Sequence, residues 1–188
     1  MIVLVLGGTR SGKTAVAQRI AAALPAPVTY VATGVVTDDG MAARVAAHRA
    51  ARPAGWTTCE VGPGDDLPAA VRAVEGTVLV DSLGTWVAGW WREDGRPAPQ
   101  GARAAGEALA GALAARAGDA VAVGEEVGLS VHPVAASGRW FVDALGEVNE
   151  ALAARADHVL LVVAGRVLAL PAVPPPEVPG LGGPGADG

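Results

Sequence analysis

Eight consecutive residues near the start of the chain carry the strongest chemical signal. They fit the pattern G-x-x-x-x-G-K-S/T, in which backbone N–H groups surround phosphate oxygens and the lysine reaches the β- and γ-phosphates. The hydroxyl at the last position of such a loop binds Mg²⁺. The residues are Gly7, Gly8, Thr9, Arg10, Ser11, Gly12, Lys13 and Thr14. The pattern predicts a loop for the phosphates of a nucleoside triphosphate, with Lys13 as the charged contact and Thr14 on the metal.

Lysine usage supports this interpretation. The chain has 14 basic residues, and Lys13 is the only lysine among them. A compact ammonium on a flexible stem fits between phosphate groups, whereas the broad planar guanidinium of arginine does not fit the same loop. The residue type at position 13 therefore favours a phosphate contact over an incidental surface charge.

A second ligand for the metal is expected at the end of a neighbouring strand. Asp81 closes the apolar run Thr77–Asp81 and is followed by Ser82. Its carboxylate would bind Mg²⁺ directly or through water. An alternative is that Asp81 is the N-cap of a helix that begins near Leu83, and both roles could coexist.

A cationic helix face is the third feature with chemical potential. Arg44, His48 and Arg52 are spaced four residues apart and therefore lie on one side of a predicted helix. A neutral imidazole flanked by guanidiniums could attack an α-phosphorus and form a phosphoramidate, which is covalent nucleotidyl transfer. The residues alone leave a second interpretation open, a solvated surface that carries one histidine.

Five short runs rich in valine and leucine are typical of strands buried on both faces. They are Ile2–Leu6, Val28–Ala32, Thr77–Asp81, Ala120–Val123 and Val159–Val163. Helical patterns lie between them, with apolar sets at Val16–Leu24, Leu67–Val74 and Phe141–Leu152 and an alanine-rich segment over Ala102–Ala117. This alternation predicts an α/β fold, a mostly parallel sheet of the P-loop NTPase type with helices on both faces.

The length of 188 residues favours a single domain, which we assign to residues 1–170. From Pro171 onward the chain is rich in proline and glycine and has little to bury, so residues 171–188 are predicted to form a disordered tail.

Composition excludes several classes of protein. A net charge of −5 argues against general binding to nucleic acid or an anionic membrane, because both need clustered lysine and arginine. Cys59 is the only cysteine, so neither an internal disulfide nor a zinc site of cysteine ligands is expected. No apolar run approaches the ~18 residues of a spanning helix. Ile2–Leu6 is too short for the apolar core of a signal peptide. We therefore expect a cytoplasmic protein without a membrane span.

Further motifs extend along most of the chain. They are Gly7–Thr14, Tyr30–Thr33, Met41–His48, Arg52 and Pro53 with Trp56 and Glu60, Glu126–Gly128, the series Arg139, Phe141, Asp143, Gly146 and Asn149, and Ala156 with Asp157. Together these motifs resemble the bifunctional adenosylcobinamide kinase/adenosylcobinamide-phosphate guanylyltransferase family. The resemblance covers residues 1 to about 170.

The resemblance implies two reactions. The aminopropanol hydroxyl of adenosylcobinamide is phosphorylated by a nucleoside triphosphate, ATP or GTP, and GMP is then transferred from GTP to the new phosphate. His48 matches the histidine that is guanylylated in the family, and it must be unprotonated to attack. The implied nucleotide contacts are Gly7–Thr14, Ala32, Thr33, Gly34, Arg49, Ala50, Ala51, Arg52, Glu60, Asp81 and Ser82. The resemblance also implies a homo-oligomer, a trimer.

The chain departs from the family pattern at three positions. Glu125 stands in place of the usual Asn before Glu-Val-Gly, Ser130 in place of a glycine, and Val142 in place of the arginine of Phe-Arg-Asp. Glu126 lies where a strand passes into a loop, which suits a catalytic base for the kinase step; a carboxylate that stabilises the loop is an equal alternative.

Two other functions remain open at this point. One is a small-molecule kinase with a phosphate loop that never forms a nucleotidyl-enzyme. The other is a nucleotide-sensing module without turnover.

Overall fold

The computed structural model describes residues 1–34, 52–62, 65–90 and 101–172. Within these ranges the chain forms seven strands and five helices, which we number in chain order. They are β1 (Ile2–Gly7), α1 (Lys13–Ala22), β2 (Val28–Ala32), β3 (Thr57–Glu60), α2 (Leu67–Ala73), β4 (Thr77–Asp81), α3 (Leu83–Ala88), α4 (Ala102–Ala114), β5 (Ala120–Glu125), α5 (Ala136–Ala153), β6 (His158–Val163) and β7 (Arg166–Ala169). Residues 173–188 of the predicted tail lie outside the described ranges.

The strands form one sheet in the order β3-β2-β4-β5-β1-β6-β7. Every neighbouring pair is parallel except β6 and β7, which are antiparallel. Helices cover both faces, so the predicted α/β fold with a mostly parallel sheet is confirmed. Because strands β1 to β6 run in the same direction, their carboxyl ends meet at one edge of the sheet.

Alternation along the strands creates two hydrophobic layers. Leu4, Val80 and Ala122 face a layer built with α2, α3, α4 and α5. Val5, Leu79 and Val123 point to the opposite side, where α1 is the described helix that packs against them. The central strands β1, β4 and β5 are buried over nearly their whole length, which explains their continuous apolar sequences.

All five predicted strands are present, but β3 and β7 were missed. The prediction placed the buried face of α1 one position too early in the sequence. The buried residues of this helix are Ala17 and Ala21. Val16, Ile20 and Leu24 pack at the border of the layer. Small side chains bring the helix that follows the phosphate loop close to the sheet. The alanine-rich helix α4 ends at Ala114 rather than Ala117.

A search of the described residues finds no helix with the length and apolar character that crossing a lipid bilayer requires.

Candidate nucleotide site

The loop between β1 and α1 has the backbone of an anion-binding turn. Arg10 and Gly12 have φ angles of 57° and 91°, on either side of Ser11. Such alternation turns successive N–H groups towards one side, which makes a concave site for phosphate oxygens. The loop ends in the first turn of α1, whose N-terminus adds partial positive charge. The sequence places glycine at position 12, where a side chain would be strained.

Close packing below the loop explains Gly7. A Cβ atom at this position would meet the Ser11 hydroxyl oxygen and the backbone oxygen of Val162 on β6. The backbone N–H of Gly165 also donates to the Ser11 carbonyl at 2.8 Å. The turn between β6 and β7 therefore supports the phosphate loop from the side.

Lys13 lies across the loop instead of extending into solvent. Its side chain is 12% exposed, and Nζ is 3.8 Å from Glu125 Oε1. Nζ also donates to the Gly8 carbonyl at 3.4 Å. These long contacts hold the ammonium at the loop while leaving it able to exchange partners, as a phosphate-binding lysine requires.

Parallel pairing brings several other predicted residues to the same edge. Ala32 at the end of β2 is in register with Glu60 at the end of β3 and with Asp81 at the end of β4. Gly7 is in register with Glu125 at the end of β5. Thr33 and Gly34 follow β2, and Ser82 follows β4. These strand ends, dispersed in sequence, thus share one edge with the phosphate loop.

The Asp81 carboxylate belongs to a chain of three polar contacts. The Tyr30 hydroxyl donates to Asp81 Oδ2 at 2.5 Å. The Arg52 guanidinium lies over the Tyr30 ring, 3.4 Å from the centroid, and its Nη1 donates to Thr58 Oγ1 at 2.9 Å. Cation–π packing on the Tyr30 ring therefore fixes the position of Arg52, a predicted nucleotide contact. The same tyrosine orients Asp81, the predicted metal ligand.

The helix α3 begins at Leu83, as predicted, but the alternative role of Asp81 as its N-cap is wrong. Its N-cap is Ser82, whose side chain accepts from the Thr85 N–H, and a reciprocal contact from Thr85 completes a capping box. Asp81 is therefore the last residue of β4 and not the N-cap. The buried Thr33 hydroxyl donates to the Ser82 carbonyl at 2.6 Å, which ties the end of β2 to this cap.

The two adjacent glutamates at the end of β5, Glu125 in the strand and Glu126 after it, have different surroundings. Glu126 Oε1 accepts from the backbone N–H of Gly128 at 2.8 Å, the contact expected of a loop-stabilising carboxylate. Glu125, noted in the sequence only as a departure from the family pattern, contacts Lys13. The catalytic-base role of Glu126 stays a prediction. The sequence placed Glu125 at the end of a predicted strand, but the pairing of that strand with β1, which brings Glu125 to Lys13, is seen only in the structure.

Four predicted site residues, His48, Arg49, Ala50 and Ala51, lie outside the described residues, as does Arg44. Of the predicted cationic helix face, the described residues include Arg52, which directly follows Ala51.

The donors at the loop suit Mg²⁺. Thr14 offers a hydroxyl in the first turn of α1, and Asp81 offers a carboxylate of which Oδ2 already accepts from Tyr30. Mg²⁺ takes oxygen ligands and keeps several waters, so one or two protein oxygens together with phosphate oxygens suffice.

Burial raises the pKa of Tyr30 well above its usual value of 10.0, and the negative charge of Asp81 and the hydrogen bond to it add to the rise. The positive charge of Arg52 acts in the opposite direction. Tyr30 thus remains a neutral hydrogen-bond donor to Asp81 over the whole neutral range.

Tyr30 is the only tyrosine in the chain, which makes this pKa directly measurable. Because the folded pKa is raised, the native state holds its phenolic proton more tightly than the unfolded state, so stability is lost as pH rises past about 10. In a spectrophotometric titration we expect phenolate absorbance to appear together with the loss of tertiary structure. In denaturant it should appear near the ordinary pKa. Phenolate absorbance near that pH in protein that is still folded would contradict the buried Tyr30–Asp81 contact.

Comparison with known proteins agrees with this geometry. The family model described as cobinamide kinase / cobinamide phosphate guanyltransferase matches residues 3–170. The bifunctional adenosylcobalamin biosynthesis protein CobP of Pseudomonas aeruginosa is 37% identical over 172 residues, which cover 91% of this chain and 98% of the relative. The bifunctional protein CobU of Salmonella typhimurium is 36% identical, with 88% of this chain and 97% of the relative covered.

CobU of Escherichia coli is 34% identical over 176 residues, again covering 88% of this chain and 97% of the relative. Among solved structures, an ATPase from a bacterial type III secretion system has a TM-score of 0.52 at 11% identity, and the match covers 85% of this chain and 50% of that one. The likeness to this ATPase shows the fold alone. The match over nearly the whole chain and the strand-edge site built around Lys13 together assign the chain to the cobinamide kinase / cobinamide phosphate guanyltransferase family.

Proposed function

We propose that this protein phosphorylates adenosylcobinamide with a nucleoside triphosphate and then transfers GMP from GTP to the product, giving adenosyl-GDP-cobinamide. The proposal rests on the position of Lys13, whose side chain lies across an anion-binding turn in a chain of this family. Asp81 and the ends of β2 and β3 line the same edge of the sheet, and the Arg52 guanidinium packs over Tyr30, which donates to Asp81. A single edge thus offers contacts for phosphates and for the rest of a nucleotide.

In the kinase step, the alcohol oxygen of the substrate attacks the γ-phosphorus and the bond between that phosphorus and the β-phosphate oxygen breaks. Lys13 and the N–H groups of the loop stabilise the charge on the phosphate oxygens, and catalysis rests on positioning and electrostatics. Mg²⁺, held by Thr14 and Asp81, would neutralise further phosphate charge. Glu126 is the proposed acceptor of the alcohol proton.

In the guanylyl step, a nitrogen of neutral His48 attacks the α-phosphorus of GTP and pyrophosphate leaves. A phosphate oxygen of adenosylcobinamide phosphate then attacks the same phosphorus, the P–N bond breaks and His48 is regenerated. Arg52 would balance phosphate charge during both transfers. Its fixed position over Tyr30 favours this role, because a guanidinium that is already ordered loses little freedom on binding.

We place these reactions in the cytoplasm, where nucleoside triphosphates are available, and we propose a homo-oligomer, a trimer, as the working form. Nucleic acid is not proposed as a partner, because the chain has a net charge of −5 and general binding to nucleic acid requires clustered positive charge.

One labelling experiment tests the proposed function. The protein is incubated with Mg²⁺ and GTP labelled at the α-phosphate, and the chain is then examined for bound label. A phosphoramidate predicts label that is lost in acid and stable in alkali. Adenosylcobinamide phosphate should discharge the label into adenosyl-GDP-cobinamide.

The same experiment separates the alternatives. Phosphate transfer to adenosylcobinamide without label on the chain would favour a plain small-molecule kinase. Nucleotide binding with neither label nor turnover would favour a nucleotide-sensing module. Label that is stable in acid would contradict a histidine linkage.

A further inference from the structure

Glu125 is a carboxylate at the phosphate loop to which the proposed reactions give no role. It is the last residue of β5 and is in register with Gly7, the first residue of the loop. Its side chain is 25% exposed, so most of it is withdrawn from water. A charge in such a place interacts with its neighbours more strongly than one on the open surface.

Two contacts fix this carboxylate. Oε2 accepts the backbone N–H of Gly84, at the start of α3, at 2.8 Å. The approach is so close that a Cβ atom at position 84 would overlap the carboxylate. Oε1 is left facing Lys13 Nζ at 3.8 Å. The backbone of α3 thus anchors one oxygen and aims the other at the lysine.

We propose that Glu125 is an internal competitor for Lys13, a specificity-determining residue that lowers affinity for nucleotides whose β- and γ-phosphates reach the lysine. The inference rests on the proposed function in that it takes Lys13 as the phosphate contact. Without nucleotide, Glu125 and the Gly8 carbonyl share the ammonium. With nucleotide, the phosphates must take Lys13 from Glu125.

Two electrostatic costs follow from this geometry. The ion pair between Lys13 and Glu125 is weakened when the lysine turns to the phosphates, and the fixed carboxylate then repels the terminal phosphate. An uncharged amide at position 125 could still accept the Gly84 N–H but would impose neither cost. From the energies of partly exposed ion pairs, we expect Glu125→Gln to tighten GTP binding about three- to tenfold.

The experiment measures dissociation constants of GTP and GMP by calorimetry, with Mg²⁺ and at constant ionic strength. The unaltered protein is compared with Glu125→Gln and with Glu125→Asn, the second variant guarding against a folding defect specific to the first. Glu107→Gln is the matched control, because it removes one negative charge from an exposed position of α4. GMP has no β- or γ-phosphate, so its affinity should not change in any variant.

The expected result is tighter GTP binding in both position-125 variants. The affinity for GMP should stay the same in these variants, and Glu107→Gln should bind both nucleotides as the unaltered protein does. GTP binding that is equal or weaker in both variants would overturn the inference and leave the proposed function intact. Equal tightening for GTP and GMP would also overturn it, because the effect would not depend on phosphates at Lys13. If the unaltered protein bound no GTP, the proposed function itself would fail.

Discussion

Replacing Lys13 with alanine is expected to lower both activities strongly, with the kinase rate falling by about 10²- to 10⁴-fold. The ammonium is the charged donor of the loop, and no second lysine exists in the chain to replace it. Lys13→Arg should be nearly as inactive, because a broad planar guanidinium does not replace the compact ammonium, whose Nζ lies 3.4 Å from the Gly8 carbonyl and 3.8 Å from Glu125 Oε1. Steady-state assays with ATP or GTP, together with GTP binding, measure both effects.

Folding should be almost unchanged in these variants. The two long contacts of Lys13 are each worth at most about 1 kcal/mol, so melting temperatures should stay close to that of the unaltered protein. Arg103→Ala is the matched control, since it removes a positive charge from a surface ion pair with Glu150 and should retain full activity. Substantial kinase activity in Lys13→Ala would mean that phosphate is bound elsewhere.

Replacing His48 with asparagine should separate the two reactions. Guanylyl transfer is expected to disappear, because the amide of asparagine cannot form the phosphoramidate. Phosphorylation of adenosylcobinamide should continue at a rate within about threefold of the original, since the electrostatics of the phosphate loop are intact. The readouts are label from α-labelled GTP on the chain and formation of adenosylcobinamide phosphate.

His132→Asn serves as the control for this prediction, because His132 is an exposed histidine between β5 and α5. It should retain label and both activities. Covalent label retained in His48→Asn would show that another residue is the nucleophile. A parallel loss of kinase activity would show that His48 does not serve the guanylyl step alone.

The central strands were predictable because their continuous runs of apolar residues indicate burial on both faces. β2 and β4 have the predicted bounds, and β1 and β5 extend beyond theirs by one and two residues. The two missed strands, β3 and β7, are the two edges of the sheet. β3 is short and largely exposed, with the sequence Thr-Thr-Cys-Glu, and the residues of β7 are all exposed. Edge strands lack the continuous apolar run on which the prediction relied.

A turn signal for β7 was nevertheless present. Ala164 and Gly165 join β6 to β7 with φ angles of 50° and 75°, which are typical of the turns in two-residue hairpins. The apolar residues on either side of this pair would have identified the hairpin.

The phosphate loop could be read from its sequence because its eight residues are contiguous. The contacts around Asp81 and Glu125 could not, since each depends on strand order. Tyr30 meets Asp81 because β2 pairs with β4, and Glu125 meets Lys13 because β5 lies beside β1. Tyr30 was noted only as part of a motif. Asp81 was considered as the N-cap of α3 only as an alternative to a metal ligand; the N-cap is Ser82, and the spacing of Ser82 and Thr85 as a capping pair was the signal for it.

The proposed function depends most on where Lys13 lies when a triphosphate is bound. A crystal structure with Mg²⁺ and a non-hydrolysable GTP analogue measures this directly. We predict Lys13 Nζ within about 3 Å of β- and γ-phosphate oxygens, as in charge-assisted hydrogen bonds, with the N–H groups between Gly8 and Thr14 directed at the same phosphates. Phosphates bound away from this loop, with Nζ still beside Glu125 or in solvent, would contradict the role of Lys13 as the phosphate contact.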